Sequence, residues 1–146
     1  MPAETHDETT AQRARRIVEQ MMDRDAFSQW LGIEVLEVSP GRAVVRMTVR
    51  PEMLNGFAVA HGGIAFALAD SALAFASNTC GLVTMTLESS VFFATPVHAG
   101  DVLTATAEEV SAGNRVALYD VVVTRADGTR VAFVRGTVYR TKQAHA

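Results

Sequence analysis

Residues 64–76 read Ile-Ala-Phe-Ala-Leu-Ala-Asp-Ser-Ala-Leu-Ala-Phe-Ala, and this stretch decides the fold. It is dense in alanine and leucine, both of which favour the α-helix. Apart from Asp70 and Ser71 the stretch is apolar, so the helix that it forms has almost no polar face. A helix of this kind belongs inside a protein. It is also too short to cross a bilayer, which needs about 20 apolar residues.

The segments on either side of this helix predict strands and one further helix. Upstream, residues 10–23 predict an N-terminal helix, residues 25–31 a further turn, and residues 33–38 and 43–49 two strands before a loop over 51–63. Downstream, after the long helix ends near residue 79, strands are predicted at about 83–94, 101–111, 115–124 and 129–140. This order predicts an α+β fold in which one curved antiparallel sheet wraps a single long helix. Because this helix is apolar almost all round, we also expect it to pack against a second subunit.

The bulk composition places the chain in a broad class. The 146 residues suit a single domain, here 10–141, with a disordered N-terminus at 1–9 and a C-terminal tail at 142–146. A net charge of −3 gives no reason to expect nucleic acid. The start of the chain carries no secretory signal, and the single cysteine, Cys80, cannot form an internal disulfide. We therefore expect a cytoplasmic protein that does not enter the membrane.

Asp70 is the residue most indicative of chemistry. Between Glu52 and Glu88 it is the only charged side chain, apart from any charge on His61. Aspartate is a poor residue in the middle of a helix, and a buried carboxylate is costly unless it is paired or functional. A short polar stripe with Ser71 and Ser77 is the structural alternative. We interpret Asp70 as a catalytic carboxylate with a raised pKa.

Two further elements precede Asp70. His61-Gly62-Gly63 opens the helix, where free backbone N–H groups can hold the oxygen of a polarised carbonyl. Gly62 lies eight residues before Asp70, roughly 12 Å along a helix, so one chain cannot easily bring both to one carbonyl. Asn55 begins an Asn-Gly pair, which is typical of a turn, but its amide is also suited to holding a carbonyl or a water.

Other catalytic signatures are missing from the sequence. It contains no Gly-x-Ser-x-Gly elbow, P-loop, Gly-x-Gly-x-x-Gly or His-Glu-x-x-His motif. The four histidines have no metal-ligand spacing, and Cys80 is interpreted as a small apolar filler. We expect neither a metal nor a cofactor.

These residues resemble a known family. The residues that carry the resemblance are Met53-Leu54-Asn55-Gly56, His61-Gly62-Gly63, Leu68-Ala69-Asp70, Gly81-Leu82, and Pro96 followed by residues 99–105. These runs are similar to the phenylacetic-acid-degradation (PaaI-type) acyl-CoA thioesterases. The resemblance covers roughly residues 25–140. It implies a hotdog fold and metal-free hydrolysis of aryl or other acyl-CoA thioesters, with phenylacetyl-CoA as the expected substrate. It also implies a homo-oligomer, in which two hotdog domains form a dimer through the sheet and the dimers assemble into tetramers.

The resemblance also implies roles for individual residues. Asp70 becomes the general base or the nucleophile, and the Gly62 amide becomes the oxyanion donor. Asn55 and His61 become positioning residues that a partner subunit supplies together with Gly62. Thr86, on the strand after the helix, becomes an assisting hydroxyl. The CoA phosphates need cations, for which Arg115, Arg135, Arg140 and Lys142 are available.

Two other functions remain open at this point. One is a hotdog hydratase or dehydratase, although the surroundings that such an enzyme gives its catalytic histidine are missing. The other is a non-catalytic acyl-CoA-binding protein, for which the chain has no output module. The acyl group is also left open. Its candidate pocket residues, each equally suited to the core, are Leu54, Phe57, Val59, Phe66 and Met85.

Overall fold

The computed structural model describes residues 7–146, which form three α-helices and six strands. In chain order these are α1 (Thr10–Arg24), α2 (Ala26–Leu31), β1 (Glu34–Ser39), β2 (Arg42–Thr48), α3 (Gly62–Asn78), β3 (Leu82–Phe93), β4 (Val102–Ala112), β5 (Val116–Arg125) and β6 (Arg130–Ala144). A short 3₁₀ turn, Pro51–Met53, lies in the loop before α3. Every predicted element is present, and all strand starts lie within one residue of the prediction.

The six strands form one antiparallel sheet around α3. Their order is β1-β2-β4-β5-β6-β3, so that β1 and β3 are the two edges. The residues of α3 pack against β2, β3, β4, β5 and β6. Between them they bury a continuous core in which Leu68, Leu73 and Phe75 are fully enclosed. The predicted α+β architecture of a helix wrapped by a sheet is confirmed.

The helix and the sheet approach each other closely at Gly136 on β6. A Cβ atom at this position would lie 3.0 Å from both terminal methyl groups of Leu73 and 3.2 Å from the Ser89 Oγ. Only glycine therefore allows α3 to pack so close to the sheet. This contact fixes the depth at which the central helix, and with it Asp70, sits against β6.

The ends of the chain differ from the prediction. The disorder predicted for residues 1–9 lies mostly outside the described residues, but Thr9 is ordered as the N-cap of α1. Its Oγ1 accepts a hydrogen bond from the Gln12 amide, and the Gln12 side chain accepts one from the Thr9 amide. At the other end β6 continues to Ala144, opposite Leu82. Residues 142–144 of the predicted tail thus belong to the sheet, because β3 offers them backbone hydrogen bonds.

Candidate active site

Asp70 lies in the middle of α3, in a half-buried position between the fully buried Ala69 and the buried Ser71. Its carboxylate accepts no hydrogen bond from residues 7–146. Burial raises the pKa of Asp70, and the negative charge of Asp25 raises that pKa further. A carboxylate without compensating hydrogen bonds is a stronger proton acceptor than one at the ordinary pKa.

The first turn of α3 carries a free backbone donor. The helix begins at Gly62, two residues before the predicted start, with His61 as its N-cap. The His61 Nδ1 accepts a 2.9 Å hydrogen bond from the Gly63 amide, so the neutral ring carries its proton on Nε2. The Ile64 amide bonds to the His61 carbonyl. The Gly62 amide has no acceptor among the described residues, and it lies in the first turn, at the positive end of the helix dipole.

An apolar pocket of about 250 Å³ adjoins this amide. It lies between the start of α3, the end of β3 and the loop that follows β3. Its lining residues are Val59, Ala60, His61, Gly62, Ala65, Phe93, Ala94, Thr95, Pro96, Val97 and Val131. The Phe93 ring covers Gly62, since a Cβ on that glycine would lie 3.0 Å from the ring. A carbonyl bound at the Gly62 amide would therefore have an aromatic ring beside it.

The loop before α3 is folded around Asn55. The Asn55 Oδ1 accepts hydrogen bonds from the amides of Phe57 (2.9 Å) and Val59 (3.5 Å), as in an Asx turn. This is the turn that the Asn-Gly pair predicted. The Nδ2 group of Asn55 has no acceptor within residues 7–146, so the same side chain still has a donor for a ligand.

The predicted site residues fall into two groups within one chain. His61 and Gly62 lie at the N-terminal end of α3, and Asn55 lies in the preceding loop, where its neighbour Leu54 bridges to Ala60. Asp70 lies two turns further along α3, roughly 12 Å from Gly62 by helical rise. Thr86 is exposed on β3, opposite Val138 of β6. A single chain therefore holds two half-sites and does not bring them together.

The residues suggested for the acyl pocket are mostly elsewhere. Val59 lines the pocket, but Phe57 is 88% exposed, Met85 is exposed on β3, and Leu54 and Phe66 pack against the core. Sequence reasoning missed Phe93. Its only signal was its place just before the Thr95-Pro96 break, at the end of a strand.

The candidate cations differ in how free they are. Arg135 is paired with Asp120 and Arg140 with Glu109. The Arg115 guanidinium donates to the carbonyls of residues 140 and 141. Lys142 is exposed, with no ion pair among the residues that the structure describes. Arg115 likewise has no ion pair among these residues, so Lys142 and Arg115 are the two candidates whose charge is not already paired with a carboxylate, and Lys142 is the more exposed of them.

Metal clusters and membrane-spanning helices are both missing from the part of the chain that the structure describes. Over residues 7–146, no three His, Cys, Asp or Glu side chains are grouped closely enough to hold a metal ion. In the same residues, none of the helices combines the length and the apolar character needed to cross a membrane.

Comparison with known proteins agrees with this geometry. The family model "Thioesterase superfamily" matches residues 57–132, which include Gly62, Asp70 and Thr86. Fold and site together thus define a hotdog-fold thioesterase. Over 120 residues the chain is 40% identical to the acyl-coenzyme A thioesterase PaaI of Escherichia coli. The aligned region covers 82% of this chain and 86% of that protein. The chain belongs to the thioesterase superfamily, as an acyl-CoA thioesterase of the PaaI type.

Solved structures extend the likeness to three dimensions. The E. coli PaaI protein from the phenylacetic acid degradation operon matches with a TM-score of 0.91 and 36% identity, covering 93% of this chain and 99% of its own. A thioesterase protein of Streptococcus pneumoniae, solved with coenzyme A, matches with a TM-score of 0.80 and 30% identity, covering 86% and 98%. In one solved variant of that protein a threonine is replaced by alanine, and in another an aspartate is replaced by alanine. The two positions are sixteen residues apart in its chain.

Proposed function

We propose that this enzyme hydrolyses aryl-acyl-CoA thioesters, with phenylacetyl-CoA as the expected substrate, to the free acid and CoA in the cytoplasm. The observation that carries the proposal is the free Gly62 amide beside an apolar pocket, on the same helix as an uncompensated, half-buried Asp70. The name of the E. coli relative supports the acyl-CoA class, and the operon of its solved structure supports phenylacetate degradation as the setting.

The chemistry follows from the two groups. The thioester oxygen accepts a hydrogen bond from the Gly62 amide, which stabilises the negative charge that develops when the carbonyl is attacked. Asp70 takes a proton from the attacking water, and the water oxygen bonds to the carbonyl carbon. The tetrahedral intermediate then collapses, the carbon–sulfur bond breaks, and CoA leaves as the thiolate or, with the proton from Asp70, as the thiol.

Asp70 has a second possible role as a nucleophile. Its carboxylate would attack the carbonyl, expel the CoA thiolate and leave a mixed anhydride, which water then hydrolyses. Single-turnover hydrolysis in ¹⁸O-labelled water separates the two roles. Label that enters the Asp70 carboxylate indicates attack by the side chain. Because water could also open the anhydride at the acyl carbon and label only the acid product, hydroxylamine is added to trap the anhydride, and label in the product with no trapped acyl-enzyme indicates an activated water.

The proposed site is shared between two copies of the chain. The two half-sites lie roughly 12 Å apart in one chain, so the Gly62 amide of one copy must meet Asp70 of another. The edge strand β3 is suited to this pairing, since no strand within residues 7–146 pairs with its outer edge and it exposes several large apolar side chains. These are Met85, Leu87, Val91, Phe92 and Phe93. We propose a dimer through this edge, with two such dimers forming a tetramer.

The remaining site residues have supporting roles in this proposal. The Nε2–H of His61 and the Nδ2 group of Asn55 have no acceptor among residues 7–146, and in this proposal they hold the substrate or the water at the Gly62 half-site. Thr86 lies sixteen residues after Asp70, the same separation as the aspartate and threonine replaced in the S. pneumoniae thioesterase. This spacing supports Thr86 as the assisting hydroxyl. Phe93 offers an edge or a face to an aromatic acyl group.

A spectrophotometric assay of released thiol tests the proposal. Wild-type protein is compared on phenylacetyl-CoA, benzoyl-CoA and straight-chain acyl-CoAs, and we expect the highest kcat/KM with an aryl substrate. Asp70→Asn should lower kcat by at least about 10²-fold, because a general base contributes about 10² to 10⁴. Asp23→Asn, an equal charge change at an exposed position of α1, is the matched control and should match wild type. Near wild-type turnover by Asp70→Asn would contradict the proposed mechanism.

A further inference from the structure

Asp25 forms a polar link between the short helix α2 and the central helix. Its Oδ1 accepts a 2.9 Å hydrogen bond from the Ser28 amide, so Asp25 caps α2. Its Oδ2 accepts a 2.6 Å hydrogen bond from the Ser28 hydroxyl. Ser28 is fully buried and Asp25 is half-buried, so the Ser28 side of both bonds is shielded from water.

The link continues onto α3. The Ser28 Oγ lies 2.8 Å from the Oγ of Ser71, the residue that follows Asp70. A hydroxyl has one proton to donate, and that of Ser28 goes to the Asp25 carboxylate. Ser71 must therefore donate to Ser28, and the chain of bonds runs from Ser71 through Ser28 to Asp25. It fixes the helix turn on which Asp70 sits.

The far end of α2 is held just as firmly. The Arg50 guanidinium donates to the carbonyls of Trp30 (2.9 Å) and Leu31 (3.0 Å), which are free at the end of the helix. Arg50 stands directly before the loop that contains Asn55. Fixed at both ends, α2 cannot shift without straining the link to Ser71.

We propose that Asp25 is a positioning residue for Asp70, acting through the Ser28–Ser71 hydrogen bonds and through its own charge. The proposal rests on the proposed function, because it takes Asp70 to be the reacting carboxylate.

The surroundings of Asp70 make Asp25 its main electrostatic neighbour. Burial is the larger cause of the raised pKa of Asp70. Among residues 7–146, Asp25 is the charged group that raises this pKa further. The strands packed on α3 contribute buried apolar side chains such as Val45 and Val121. The buried titratable group of the sheet, Tyr119, bonds to Glu109, and burial raises its pKa to about 12, so it stays neutral near pH 7.

Two variants, Asp25→Asn and Ser28→Ala, test the proposal in the 146-residue protein. Asp25→Asn removes the charge and one of the two acceptors for Ser28, but it keeps an amide oxygen that can cap α2, so α2 should remain folded. We expect the acidic limb of its kcat/KM profile to move to lower pH by about half a unit or more, because the ionised form of Asp70 is no longer repelled. Asp23→Asn, the same charge change two residues away on exposed α1, should leave the limb in place.

Ser28→Ala tests the hydrogen-bond chain itself. We expect kcat to fall by at least about threefold with KM unchanged, because small displacements of a reacting group are costly in rate. Circular dichroism melts of each variant confirm that the protein is folded.

The outcomes separate this inference from the proposed function. Identical acidic limbs for Asp25→Asn and Asp23→Asn, or a wild-type kcat for Ser28→Ala, would overturn the role of Asp25 while Asp70→Asn stayed inactive. Activity retained by Asp70→Asn would instead remove the proposed function.

Discussion

Mixing two variants that we expect to have lost most of their activity, Asn55→Ala and Asp70→Ala, tests whether the active site is shared between subunits. Asn55 belongs with Gly62 at the start of α3, while Asp70 lies two turns further along the same helix. Eight residues of helix correspond to a rise of roughly 12 Å, which is too far for both ends to reach one carbonyl. A shared site thus takes Asn55 from one copy and Asp70 from the other.

The recovered activity can be worked out from this arrangement. When two variants exchange subunits at random in equal amounts, about half of the symmetric dimers contain one copy of each. Each mixed dimer has one site with both residues intact and one site with both replaced. Half of the sites in about half of the dimers are then active, so the mixture should recover about a quarter of wild-type activity.

The assay measures thiol release after subunit exchange. Differently tagged variants are mixed, exchanged in mild denaturant, returned to buffer, and checked by native mass spectrometry for mixed dimers. Each variant taken through the same treatment alone is the control and should stay inactive. If mixed dimers formed and the mixture were no more active than the average of the two variants, the site would lie within one subunit and our reasoning would be refuted.

Three further predictions follow from the contacts around α3. Burial raises the pKa of Asp70 in the folded protein, so stability falls as the pH rises from the unfolded pKa of about 3.9 to the folded one. Asp70→Asn has no buried charge, so its melting temperature at pH 7 should exceed that of wild type, and the difference should vanish towards pH 4. Equal melting curves of the two proteins at both pH values would contradict this. Gly136→Ala places a methyl group 3.0 Å from Leu73 and should cost about 1–3 kcal/mol in urea unfolding, whereas Gly56→Ala, which meets nothing within 4 Å, should cost less than half as much. EDTA should leave turnover unchanged, because Asp70 and the Gly62 amide supply the base and the oxyanion donor; loss of activity in EDTA with recovery on zinc would disprove this metal-free mechanism.

Much of the fold was predictable because its signals are local. The apolar stretch 64–76 identifies the central helix, and turn residues such as Gly113-Asn114 and Asp127-Gly128 separate the later strands. The extension of β6 to Ala144 was not predictable in this way. Residues 142–144 are polar and carry no strand pattern, and they join the sheet because the start of β3 lies opposite them.

The candidate site was predictable only in part. Asp70 could be singled out because it is a lone charge in an apolar helix, and Gly62 because glycines precede that helix. Phe93 could not be connected with Gly62, since the two are brought together only when β3 returns along α3. Asp25 was equally invisible, because its link to Ser71 joins residues far apart in sequence through the buried Ser28.

The sequence by itself determined the helix at the centre, the sheet around it and the carboxylate within it, because amphipathic pattern, helix propensity and turn residues act over a few neighbouring positions. Only the tertiary structure decided which donors are free. His61 uses its Nδ1 to cap α3 and leaves the Gly62 amide without an acceptor, while no group in the described chain satisfies Asp70. Whether a polar group is satisfied depends on every residue packed around it, and that is settled when the sheet closes on the helix.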